Sequence, residues 1–186
     1  MQRNYLLDKK TTGLLVVDVQ ERLMNQVENA CEVIYRMQQI IKGFQIFKTP
    51  IVVTEQYPQG VGKTTMALRE TLGETQHYFS KTTFSCLDDP VIHQHISSLQ
   101  IDSWVVVGIE AHICVLQTAK SLLAFGKQVV VVNDAITSRS IYDFSTGIAE
   151  MRDSGVRISC VETVLFEMLR SSNAPEFKAI SELVKG

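Results

Sequence analysis

Four short, wholly apolar runs constrain this chain more than any other feature: Leu14-Leu15-Val16-Val17, Ile51-Val52-Val53, Val105-Val106-Val107 and Val129-Val130-Val131-Val132. Each is too short for a helix and lacks polar alternation, so each suits a strand buried on both faces of a helix-covered parallel sheet. The longer segments between them have helical spacing. From Glu28 to Lys48, Val33, Ile34, Met37, Ile40, Ile41, Phe44 and Phe47 recur at three- and four-residue intervals, and Pro50 ends that helix. Asp88-Asp89-Pro90 opens another, Gly126 closes a third, Gly155 closes a fourth that begins near Tyr142, and Pro175 to Val184 forms the last. With weaker strands near Tyr78 and Val156, the pattern predicts an α/β, doubly wound, three-layer fold with a central parallel sheet of about six strands. At 186 residues and 45% hydrophobic, the chain is expected to form one domain, 1–186, without linker or repeat.

A net charge of −2 with scattered Lys and Arg leaves no electrostatic footprint for nucleic acid, and no apolar run approaches a membrane span. Met1 to Lys10 lacks an apolar signal core, so a cytoplasmic location is expected. Cys31, Cys86, Cys114 and Cys160 are widely spaced with no C-x-x-C pair, which points to reduced thiols and away from disulfides or a zinc ribbon. Cys31, Cys86 and Cys160 read as small buried apolar residues. Cys114 stands apart, because it follows the Val105 strand where Gly108-Ile109-Glu110-Ala111-His112-Ile113 turns into a helix. Unpaired N–H groups and the macrodipole there would stabilise a thiolate, so its pKa is expected to fall.

Asp18 closes the first strand, at the carboxyl edge where open α/β sheets bind ligands. Gly60-Val61-Gly62-Lys63-Thr64 imitates a phosphate-binding loop, but the motif needs glycine where Tyr57 stands, and Pro58 removes an N–H. A glycine-hinged lid beside the site is the stronger expectation. His93 and His95 do not share a helix face, so they read as ordinary surface residues and not as metal ligands. A phosphatase C-x₅-R loop would need arginine at Lys120.

Leu14 to Gln20, the Lys81 segment from His77 to Ser85, and Val107 to Val115 followed by Thr118-Ala119 together resemble the isochorismatase-like cysteine hydrolase family, over nearly the whole chain. Thr54-Glu55-Gln56-Tyr57-Pro58 and Gly108 to His112 look most like its isochorismatase-domain-containing subgroup. The resemblance implies a catalytic set of Asp18, Lys81 and Cys114. Cys114 would attack a carbonyl carbon, Asp18 would accept and return the proton, and Lys81 would hold Asp18. It also implies a non-proline cis peptide at Ile109-Glu110, with the N–H groups of Glu110 and Cys114 forming an oxyanion hole. Nicotinamidase relatives bind a metal after the second strand; that place lacks histidine here, so no metal and no cofactor are expected.

Gln20, Tyr57, Phe84, His112 and Ile113, with Phe79 and Ile109 nearby in the chain, are the candidate pocket for a small-molecule substrate. Glu110 facing that pocket would disfavour isochorismate, a dicarboxylate, and favour neutral amides. The alternatives are a vinyl-ether hydrolase and a catalytically silent interaction protein keeping the fold. Relatives usually form dimers or larger assemblies, so self-association is expected, with Trp104 as one contributor of interface.

Overall fold

All four apolar runs become neighbouring parallel strands. The structure is a computed structural model and describes residues 6–27 and 29–185, so the expected helix start at Glu28 and the first residues of the expected leaderless start lie outside it. In chain order the elements are β1 (Thr12–Val17), α1 (Glu21–Met24), α2 (Ala30–Phe47), β2 (Ile51–Gln56), α3 (Pro58–Val61), α4 (Met66–Leu72), β3 (Tyr78–Lys81), α5 (Pro90–Ser98), β4 (Ser103–Ile109), α6 (Leu116–Ala124), β5 (Gln128–Thr137), α7 (Ile141–Asp153), β6 (Arg157–Ser159), α8 (Val161–Leu169) and α9 (Phe177–Lys185). A 3₁₀ turn, Cys86–Asp88, precedes α5, and a π-helical turn, Ala111–Val115, leads directly into α6.

The sheet has six parallel strands in the order β3-β2-β1-β4-β5-β6. Alternate residues of each strand enter opposite cores. Leu14, Val16, Val53, Val105, Val107, Val130 and Val132 face α2 and α8, while Leu15, Val17, Val52, Val106, Val129 and Val131 face α5 and α6. This two-sided burial explains the unbroken apolar runs. Helix α2 packs so closely on α8 that a Cβ at Gly43 would lie 2.2 Å from Leu165 Cδ2. Helix α5 starts as its sequence signals: Asp89 accepts from the N–H groups of Val91 and Ile92 at 3.0 and 3.1 Å, with Pro90 in the first turn. His93 and His95 stack against Phe125 and Phe79, at ring-centroid distances of 4.4 and 4.7 Å. Trp104 is fully buried over Gly13, whose absent side chain makes room for the ring, so it is a core residue and not an interface residue.

From β1 the chain winds outward to β3, then returns to lay β4 on the other side of β1. The order reverses between β1 and β4, and a crevice opens at the carboxyl ends of strands on either side of such a switch point. Asp18 follows β1 and Cys114 follows β4, so topology brings the two together. Among the described residues, no helix is long and apolar enough to cross a membrane.

Candidate active site

Asp18 leaves β1 with φ +53°, a left-handed conformation that aspartate tolerates better than most residues and that turns the carboxyl group inward. It is fully buried. Its Oδ2 accepts from Lys81 Nζ at 2.6 Å and its Oδ1 from the Thr54 hydroxyl at 2.7 Å. Lys81 arrives from the last position of β3, where the β2–β3 register sets it beside Gln56. Its ammonium also donates to Gln56 Oε1 at 2.6 Å and lies 3.1 and 3.2 Å from the carbonyls of Thr83 and Phe84. An ammonium has three protons. The protein's own acceptors therefore saturate Lys81, which holds Asp18 and the loop bearing Phe84. Burial alone would push the Lys81 ammonium down; the charge of Asp18 reverses this and holds it above the ordinary lysine range.

Cys114 is the fourth residue of the π-turn, 7% exposed, and near enough to Asp18 and Lys81 for both charges to act on its thiol. The expected fall in its pKa is not found. Burial pushes the thiol well up, the charge of Asp18 adds to this, and Lys81 opposes it only in part. The site thus favours the protonated Cys114 thiol beside the Asp18–Lys81 pair. The peptide bond Ile109-Glu110 is cis, at the position the resemblance implies.

Of the three cysteines set aside as buried apolar residues, Cys31 is exposed and Cys160 is half-buried against Thr163. Cys86 belongs to the site: it is fully buried, 3.7 Å from Thr54 Oγ1, and charge-coupled to Asp18 and Lys81. Sequence reasoning missed Cys86, Thr54 and Gln56. A signal was available for Thr54 and Gln56, since both fall in the segment at the carboxyl end of β2.

The candidate pocket residues divide. Gln20 is fully buried and acts as a staple: its amide donates to the carbonyls of Gln56 and Gly62 at 3.0 and 2.6 Å, and its oxygen accepts the Gln56 N–H at 2.7 Å. Tyr57 and Phe84 are about half exposed beside Lys81, whereas Phe79 packs on the rings of His77 and His95 and Ile109 is core. His112 Nδ1 is 3.0 Å from Ser138 Oγ, and Ile113 packs half-buried against the α5–α6 core. Glu110 does not present a free charge, because Oε2 accepts from the N–H and Nε of Arg139 at 3.1 and 2.9 Å.

The phosphate-loop imitation is closed. The N–H groups of Gly60, Val61 and Gly62 return to Tyr57 and Pro58, and that of Thr64 donates to Glu55 Oε1 at 2.7 Å. Through Gln20 and Glu55 the loop is an anchored wall and not a hinged lid. Glu55 is also the one carboxylate between Thr54 and Pro58, and it faces Thr64 and Arg69, so this segment does not fit a metal-ligand set.

The isochorismatase domain model matches residues 12–163. A secreted isochorismatase effector, Isc1, of Phytophthora sojae is 35% identical over 176 residues, covering 92% of this chain and 83% of its own. Isochorismatase domain-containing protein 2 of Bos taurus is 35% identical over 173 residues, with 92% and 82% covered. A Caenorhabditis elegans structure described as MAR1 ribonuclease superposes with a TM-score of 0.91 at 33% identity, covering 97% of this chain and 93% of that one. Sequence and fold agree along almost the whole length, and the chain belongs to the isochorismatase family.

Proposed function

We propose that the chain works as a single-domain cysteine hydrolase of small C–N substrates, with Cys114 as nucleophile, Asp18 as proton carrier and Lys81 as the cation that holds Asp18. One observation carries this reading: a fully buried Asp18–Lys81 ion pair, 2.6 Å long, lies beside the Cys114 thiol, close enough for both charges to act on it. Buried ion pairs seldom repay their desolvation, so their placement in a crevice beside a nucleophile points to chemistry.

Because the thiol is raised, its proton passes to Asp18 as sulfur attacks the carbonyl carbon. Negative charge then develops on the carbonyl oxygen, which the N–H groups of Glu110 and Cys114 would receive. Asp18 returns the proton to the leaving nitrogen as the C–N bond breaks. Water, deprotonated by Asp18, cleaves the thioester, releasing the acid and restoring the thiol. No metal, cofactor, nucleic acid or membrane enters this scheme, and the four free thiols fit a cytoplasmic location.

A vinyl-ether hydrolase is the second reading. The Arg139–Glu110 pair removes the repulsion that would have disfavoured isochorismate, and the Phytophthora relative is described as an isochorismatase effector. Ribonuclease action, which the C. elegans description would bring, has less support, since Lys81 is saturated and the net charge is −2. The deciding screen offers small amides, ureido acids, isochorismate and a short RNA to wild type and Cys114→Ala. Amide hydrolysis that falls about 10³-fold or more in the variant is expected. Efficient isochorismate cleavage indifferent to the substitution would overturn the amidase assignment.

A further inference from the structure

Asp18 has a partner to which the thioester scheme assigns no role. The Thr54 hydroxyl donates to Asp18 Oδ1 at 2.7 Å, and the Thr54 carbonyl accepts the Asp18 N–H at 3.2 Å, so one residue grips Asp18 by side chain and backbone. Behind it, Cys86 Sγ lies 3.7 Å from Thr54 Oγ1, and the Cys86 N–H donates to Thr118 Oγ1 at 3.0 Å. Thr118 stands four residues beyond Cys114, hence on the same helix face. Asp18, Thr54, Cys86 and Thr118 are all fully buried. The contacts run in series from Asp18 to the Thr54 hydroxyl, from Thr54 to the Cys86 thiol, and from the Cys86 backbone N–H to Thr118, on the helix into which the Cys114 turn leads.

The direction of each bond follows from the donors available. An ionised carboxylate only accepts, and a hydroxyl has one proton. The proton of Thr54 is therefore committed to Asp18, its lone pairs face Cys86, and the S–H of Cys86 is the donor. Burial, which pushes the Cys86 thiol up to about 11, keeps that proton in place. With Lys81 on Oδ2 and Thr54 on Oδ1, both carboxylate oxygens are fixed.

We propose that Thr54 is a positioning residue for the Asp18–Cys114 proton transfer, and that Cys86 is a structural thiol that fixes the direction of the Thr54 hydroxyl. The proposal rests on Asp18 being the base of the site. The hydroxyl holds Asp18 Oδ1 so that the carboxyl group keeps one orientation toward the thiol. Removing it should slow acylation.

The test uses p-nitrophenyl acetate, whose acetyl group would pass to Cys114 Sγ with release of p-nitrophenolate while the thiol proton goes to Asp18. Wild type should give a burst of one equivalent per chain that Cys114→Ala removes. Thr54→Val, similar in shape but without the donor, should acylate about tenfold to hundredfold more slowly. Thr54→Ser, which keeps the donor, should restore the rate. Cys86→Val leaves the Thr54 hydroxyl in place but undirected and should slow acylation about threefold to tenfold, an arm that stands even where Thr54→Val does not fold. A wild-type burst with Thr54→Val or Cys86→Val acylating at the wild-type rate overturns this proposal alone. A wild type without a burst overturns it together with the reading on which it rests.

Discussion

At the scale of single residues, Lys81 and Asp18 differ from an ordinary surface pair in having no water to fall back on, since both side chains are fully buried. Breaking such a pair leaves an uncompensated charge, so Lys81→Met should destabilise the fold by about 3–5 kcal/mol in urea unfolding. Asp18→Asn combined with Lys81→Met should lose less than Lys81→Met alone. A Lys81→Met loss below about 1 kcal/mol would mean that Asp18 finds another partner. The pH dependence follows from the raised Lys81 pKa. A raised folded value contributes stability that is fully present below the ordinary lysine value of 10.5 and is lost only as pH climbs through the folded value. The gap between wild type and Lys81→Met should therefore stay level through neutral and mildly alkaline pH and close above that point.

Among the elements, β1 and β4 do most to position the site, and Gly108 leaves no room for a side chain between them. It has φ +129°, and a Cβ there would lie 2.1 Å from the Val17 carbonyl oxygen, one residue before Asp18. Its strand also shifts register against β5 between Val106 and Gly108. Gly108→Ala should cost about 3 kcal/mol or more, because it adds backbone strain to overpacking against main chain that cannot move aside. A loss under about 1 kcal/mol would show that β4 can slide without consequence. The strands were legible in the sequence because two-sided burial leaves unbroken apolar runs, and Asp18 and Cys114 were legible because each follows one. Lys81 was placed by its resemblance to a family, since its own neighbourhood resembles any exposed strand end. Thr54 and Gln56 stand at the carboxyl end of β2, where the Ile51 run pointed, whereas Cys86 joins the site only through a 3₁₀ turn that leaves no local pattern. The chain likewise could not show that Gln20 faces the backbone, nor that Glu110, 29 residues from Arg139, is already paired with it.

For the molecule as a whole, the open question is what covers its exposed apolar residues. Trp104 contributes nothing, being core, but Ile141 and Tyr142 at the start of α7 are 69% and 82% exposed. Ile141 also edges a cleft of about 330 Å³ shared with Asn29, Thr137, Ser138, Arg139 and Phe144. Scattered apolar residues on a surface are ordinary, but two adjacent large ones beside a concavity suit a self-complementary contact, in which each copy offers both knob and hollow. We expect the protein to sediment as a multiple of its 20.9 kDa chain at micromolar concentration. Tyr142→Asp, which places a charge in that contact and touches neither Asp18 nor its partners, should shift the population toward the single chain without loss of thermal stability. Sedimentation of the wild type as a single species of chain mass would show that this surface is left to solvent. An assembly unmoved by Tyr142→Asp would place the contact on another face.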